Sequence, residues 1–260
     1  MHPYLCYICV KQNEDNNLNR AFNKSFDDNF NTAMKMCECE YSNAQLVEFL
    51  SSSSEIVEKQ IAALKLNEIK SFDEATILVS NLVNQDGKIR EAVAFKINEL
   101  IKNPKFTEFF LNKADWDIFM QAIMDINSNV CRQIIEAVGF LRINEHFREY
   151  FCPLLLKTIS DLFEEADKMD MTDKKYILSK KNFQLYWCLE TLFDFAEFLE
   201  FSKVREILFR GGEFYDYTIR EKIAKILGQG FYNEFSEIAE LKEKLKNDGN
   251  YYVRRYLSES

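Results

Sequence analysis

Glycine and proline are scarce, at 7 and 3 among 260 residues. So few chain breakers leave too few tight turns for an all-β sandwich or barrel, and they favour helices. No apolar run approaches the roughly 18–20 residues that a membrane span needs, so no membrane partner is expected. Histidine occurs only at His2 and His146, and no Ser or Cys motif around either makes a nucleophilic site. Concentrated basic stretches are missing too: the densest groups are pairs such as Lys174-Lys175 and Arg254-Arg255. With a formal net charge of −9 the chain is poorly equipped to neutralise phosphates, which argues against nucleic acid as a partner. Gly228-Gln229-Gly230 is a lone GxG at a helix end and reads as a helix stop, not a phosphate cradle.

What is present is apolar material, 47% hydrophobic and 14% aromatic, enough for one or two packed domains. Seven cysteines are scattered without a disulfide framework, so reduced thiols in a cytoplasmic compartment are expected. The opening PYLCYICV has no preceding basic region and no cleavage-site pattern, so no secretory signal is expected. Cys6, Cys9, Cys37 and Cys39 form the one metal candidate, since two close pairs of thiolates can satisfy tetrahedral zinc. Against it, CYIC lacks the Gly or Pro that shapes a zinc knuckle, and its apolar neighbours suit buried thiols. No cofactor is therefore expected.

The clearest pattern is an echo. NPKFTEFF (103–110) returns forty-one residues later as NEHFREYF (144–151). Extended outward, IREAVAFKINELI lies against CRQIIEAVGFLRI, and the same opening returns in IREKIAKILGQGF (219–231) and in VRRYLSES (253–260). VEKQIAALKLNEI (57–69) is a weaker copy, and LYWCLETLFDF (185–195) a degenerate one. Each copy carries an apolar stripe at helical spacing: Ile89, Val93, Ile97 and Leu100; Cys131, Ile135 and Val138; Ile219, Ile223 and Ile226. Asp86, Asn127 and Asp216 supply start signals, and Ser52-x-x-Glu55 and Ser71-x-x-Glu74 are capping-box candidates. Helical units recurring at 30–50 residues are the mark of stacked repeats.

The openings Ile89-Arg90, Cys131-Arg132, Ile219-Arg220 and Val253-Arg254 resemble armadillo and HEAT repeat proteins. The resemblance implies an all-α, right-handed α-solenoid of about five repeats, with Arg90, Arg132 and Arg220 bonding between neighbouring units. It covers roughly residues 50–260. Residues 1–45 are expected to be an amino-terminal cap or partly disordered segment. Residues 46–260 are expected to be the repeat domain, with a polar insertion near 161–182.

In a solenoid the last helix of each unit lines the concave surface, where partners lie. The face opposite the core stripe holds Glu91, Phe95 and Asn98 in one helix and Gln133, Glu136 and Phe140 in the next. These six are the expected contacts to another protein or peptide, with Phe95 and Phe140 as anchors. The Trp and Asn ladder of the nuclear-import armadillo proteins is expected to be absent, because neither Trp lies on the helices just named. The rival reading is a DNA-glycosylase-like enzyme of HEAT-like repeats using Asp115, Trp116 or Asp117. A zinc-stabilised interaction module is a third. Nothing in the sequence speaks to oligomeric state.

Overall fold

The computed structural model of the chain describes residues 18–168 and 175–257, with side chains over 28–168 and 179–257. Thirteen α-helices are found among them and no strand: α1 Leu18–Glu38, α2 Asn43–Ser52, α3 Ile56–Lys65, α4 Phe72–Ser80, α5 Gly87–Ile101, α6 Lys113–Ile123 and α7 Ser128–Leu141. They continue as α8 Glu145–Asp167, α9 Lys175–Phe195, α10 Phe201–Gly212, α11 Tyr217–Gly228, α12 Ser236–Lys246 and α13 Tyr251–Arg254.

The helices sort into two layers. The even-numbered ones from α2 to α12 stack on one another, and the odd-numbered ones from α1 to α13 form the second layer. Each even helix pairs with the odd helix that follows it, giving six pairs from α2–α3 to α12–α13. No pair could bury its apolar face alone, and the next pair covers it, so one core runs through the stack. The apolar stripes read from the sequence are its second-layer half: Val93, Ile97, Val138, Ile219 and Ile223 are wholly buried.

Polar caps start most of the helices. Asp86, Asn127 and Asp216 each accept a hydrogen bond from the backbone N–H two residues on, at 2.8–2.9 Å. Ser71 accepts from the Glu74 N–H at 3.2 Å. The Ser52 expectation is overturned, because Ser52 is the last residue of α2 and its hydroxyl donates to the Glu48 carbonyl. Glu55 caps α3 without any side-chain bond. The reciprocal box is at Ser42 and Gln45 instead.

The echo marks equivalent places in two units. In the first it ends in a short 3-10 turn, Thr107–Phe110, ahead of α6. In the second it forms the opening turns of α8. Phe110, Phe147 and Phe151 are fully buried, and Phe106, Phe109 and Tyr150 pack half-buried beside them. The break at Asn112 between the 3-10 turn and α6 corresponds, at the same forty-one-residue offset, to Pro153 inside α8. Proline has no N–H to give the helical ladder. Thus α8 joins in one rod what the previous unit builds in two pieces.

The expected polar insertion is mostly helix. Residues 161–167 extend α8 and 175–182 open α9, while 169–174 lie outside the described residues. Part of the expected cap, residues 18–38, forms α1, which packs on α3.

Candidate functional site

The second-layer helices carry the repeated polar positions, and these fall into two sets. One set ties units together. Arg90 Nε and Nη2 donate to the two carboxylate oxygens of Asp125, in the next unit, at 2.6 and 3.0 Å. Arg220 makes the same fork to Asp248 at 2.6 and 3.3 Å, and its Nη1 donates to the carbonyls of Phe214 and Tyr215. The guanidinium beside Asp248 holds that carboxyl below its usual range. Parallel N–H donors matched to a carboxylate fix the angle between units as well as joining them.

Arg132 does not belong to this set. Counted from the N-caps, Arg90, Arg220 and Arg254 stand four residues in, and that place in α7 is held by Cys131. The sequence register of the second copy was one residue out. Cys131 Sγ donates to the Asp125 carbonyl at 3.0 Å, and burial pushes its thiol up to about 12. Arg132 is exposed and reaches the next helix differently, with its guanidinium carbon 5.8 Å from the centre of the Trp187 ring.

The second set is the face expected to bind. Phe95 is 45% exposed and Phe140 37%, on successive second-layer helices. Glu91 accepts from the amides of Asn127 and Asn129 at 3.0 and 2.8 Å. Asn98 departs from expectation: it is 5% exposed. Its amide nitrogen donates to Gln133 at 2.6 Å and to Glu136 at 2.8 Å, and its buried Oδ1 has no partner. A projection from one helix cannot see that the next unit covers Asn98. Lys102 also bonds Glu136, and mainly for that reason the Glu136 carboxyl lies below its ordinary range.

Further along, Glu190 on α9 accepts from Lys222 and Lys225 of α11 at 2.7 and 2.8 Å. Burial pushes its carboxyl up, but the two ammonium groups outweigh burial and hold it low. Each lysine also lies 4.0 Å from a ring centre, Lys222 over Tyr186 and Lys225 over Phe193. Trp187, in the degenerate copy, sits on α9 of this layer, 7% exposed and packed edge-on against Phe183 and Tyr186.

The enzyme candidates are elsewhere, and two of the three are buried. Trp116, on α6 in the first layer, is fully buried, donates to the Phe110 carbonyl at 3.2 Å and packs edge-on against Phe147. It offers no face for an extruded base. Asp115 is 1% exposed and accepts from Thr76 at 3.1 Å, with burial raising its carboxyl above the usual range. Exposed Asp117 accepts from the Tyr150 hydroxyl. Cys37 and Cys39 are exposed free thiols, whereas Cys6 and Cys9 lie outside the described residues. Among the described residues no cluster of three metal-ligating side chains occurs, and no helix is long and apolar enough to cross a membrane.

No protein-family model and no curated protein matches the chain. Solved structures do. An engineered protein 14% identical covers 84% of this chain and 96% of its own, with a TM-score of 0.50. A designed armadillo repeat protein, 13% identical, covers 83% and 97% at 0.49. A computationally designed armadillo repeat protein for modular peptide recognition, 12% identical, covers 83% and 97% at 0.49. Likeness at such identity concerns fold alone. The two layers of paired helices, stacked unit on unit, are an armadillo/HEAT-like α-solenoid.

Proposed function

We propose that the chain is a non-catalytic, cytoplasmic scaffold that binds another protein as an extended segment along its second-layer face. The observation that carries this reading is the pair of exposed rings, Phe95 and Phe140, on neighbouring helices of the second layer. Large aromatics held on a rigid surface lose little entropy on binding and serve as anchors. Glu91, Gln133 and Glu136 supply acceptors around them, and Asn98, buried between two of these, positions Gln133 and Glu136.

Affinity capture from a lysate tests it, comparing the wild-type chain with a Phe95→Ser/Phe140→Ser variant whose helicity is verified by circular dichroism. A protein held by the first and released by the folded second supports the reading. Identical captures from both would remove it. Loss of one aromatic anchor costs about 2 kcal/mol or more at a hot spot, so the double variant should weaken binding by well over tenfold.

A further inference from the structure

Two helices further along the second layer, between the starts of α11 and α13, the surface opens into a depression of about 660 Å³. Tyr215, Asp216, Tyr217, Arg220, Asp248 and Gly249 line it. Four tyrosines crowd this edge with large parts of their rings in solvent: Tyr215 46%, Tyr217 41%, Tyr251 64% and Tyr252 50%. The Tyr217 and Tyr252 rings lie within 28° of parallel with centres 6.5 Å apart, and Tyr251 meets Tyr252 edge-on at 5.8 Å. Such a group of exposed aromatics is more than scattered surface apolarity.

The hydrogen-bond inventory decides what fits. Every charge at the site is committed. Asp248 takes the Arg220 fork and the Asn250 N–H. Asp216 takes the Thr218 N–H and hydroxyl on one oxygen and the Asn182 amide on the other. Arg255, 5.1 Å from the Tyr252 ring centre, is paired with Glu221. The Tyr215 hydroxyl donates to Asn182. What remains are ring faces, the hydroxyls of Tyr217, Tyr251 and Tyr252, and the side-chain amide N–H of Asn250. A neutral ligand can be recognised here without disturbing any of these pairs. The complementary partner is neutral, stacks on rings, and brings carbonyl acceptors with few N–H groups of its own.

A proline-rich segment in the polyproline II conformation has those properties: its carbonyls are unsatisfied, its prolines lack N–H, and its shape is set before binding. We propose that this tyrosine-lined edge is a docking site for a proline-rich segment of a partner protein, separate from the Phe95–Phe140 face. Prolines pack on the rings of Tyr217, Tyr251 and Tyr252 while the phenol hydroxyls donate to the segment's carbonyls. Gly249 leaves the floor open, since a Cβ built there meets nothing within 4 Å.

The test titrates the full chain with a synthetic oligoproline peptide and, as control, a Gly-Ser peptide of equal length, following tyrosine fluorescence and calorimetric heat. Oligoproline alone should saturate, and Tyr217→Ser/Tyr252→Ser, folded by circular dichroism, should weaken it at least tenfold. Gly249→Val fills the depression without touching a tyrosine and should weaken it similarly, whereas Phe95→Ser/Phe140→Ser should leave it unchanged. No saturation below about 1 mM, equal binding of the Gly-Ser peptide, or full affinity in either site variant would overturn the proposal.

Discussion

The Arg90–Asp125 fork should be worth more than its position near the surface suggests. Its side chains are 17% and 9% exposed and its bonds are 2.6 and 3.0 Å long. At about 4 Å and an effective dielectric near 20, the bare attraction is on the order of 4 kcal/mol. Desolvating both groups cancels part of it, leaving charged, bidentate hydrogen bonds that contribute roughly 1.5–3 kcal/mol. Arg90→Met keeps the aliphatic stem, and Asp125→Asn keeps an acceptor for the Asn127 N–H, bonded at 2.7 Å. Each single change should cost about 2–4 kcal/mol, and the double variant should cost less than the sum by about 1.5–3 kcal/mol. Urea unfolding of the four proteins gives the coupling. Repeated at about 1 M salt, the coupling should survive in large part, because screening hardly reaches a buried pair. Lys157 and Asp161, exposed on α8, provide the control, with coupling below about 0.5 kcal/mol. A coupling at Arg90 no larger than the control's would refute the idea that this arginine clasps units together.

Three further outcomes follow from other positions. Cys131→Arg restores the repeat's arginine but must place a guanidinium where the thiol is wholly buried, so it should destabilise by about 2 kcal/mol or more in urea unfolding, and an unchanged midpoint would show that this place admits an arginine as its counterparts do. Asp115 has a folded pKa above its unfolded one, so its protonated form contributes stability that is complete below the unfolded value and lost as pH rises through the folded value. Asp115→Asn should therefore raise the melting temperature by about 2–4 °C at neutral pH, equivalent to roughly 1 kcal/mol, and change little in acid; equal effects at both pH values would exclude the ionisation as the cause. Gly87→Ala meets open space at a helix start and should stabilise by up to about 1 kcal/mol. Gly228→Ala puts a Cβ 2.8 Å from the Tyr256 carbonyl oxygen and should destabilise by about 1–3 kcal/mol, the pair being compared by thermal unfolding.

The architecture was legible because each repeat writes its own packing. Ile89, Val93, Ile97 and Leu100 recur at helical spacing only if one side is buried, and all four are. The echo carries phenyl rings at 106, 109 and 110 into ring positions at 147, 150 and 151. What the sequence hid depends on neighbours. Cys131 stands in an arginine's place, so matching letters shifted the register by one residue. Asn98 faces away from its own core yet lies under the next unit. Asp125 and Asp248 are loop residues whose partners lie 35 and 28 positions away, with no local period to betray them. Trp187 belongs to the degenerate copy and so to the second layer, but its packing against Phe183 and Tyr186 has no signal in the sequence. The exposure of Phe95 and Phe140 could not be read from a helical projection, because a later helix could cover them; among the described residues they are 45% and 37% exposed.

The joints between second-layer helices differ in kind. Asn98 with Gln133 and Glu136 joins α5 to α7, Glu190 with Lys222 and Lys225 joins α9 to α11, and Glu221 with Arg255 joins α11 to the end of α13. Between α7 and α9, among the described residues, no hydrogen bond crosses. Arg132 lies over Trp187, and Gly139 lets the backbone come so close that an added Cβ would sit 3.2 Å from an Asp194 oxygen. Burial raises the Asp194 carboxyl above its ordinary range despite Arg142 nearby, a cost that a hydrogen-bonded joint would avoid. This is also where the pair α8–α9 is longest, at 23 and 21 residues against 9 to 15 in α4 to α7. In a stack each unit is held by contacts within its pair and contacts to its neighbours. At the α7–α9 joint, where Cys131 stands in place of the clasping arginine, close packing at Gly139, the Arg132–Trp187 contact and an Arg142–Glu197 ion pair at 3.8 Å hold the units together in place of a hydrogen-bonded fork.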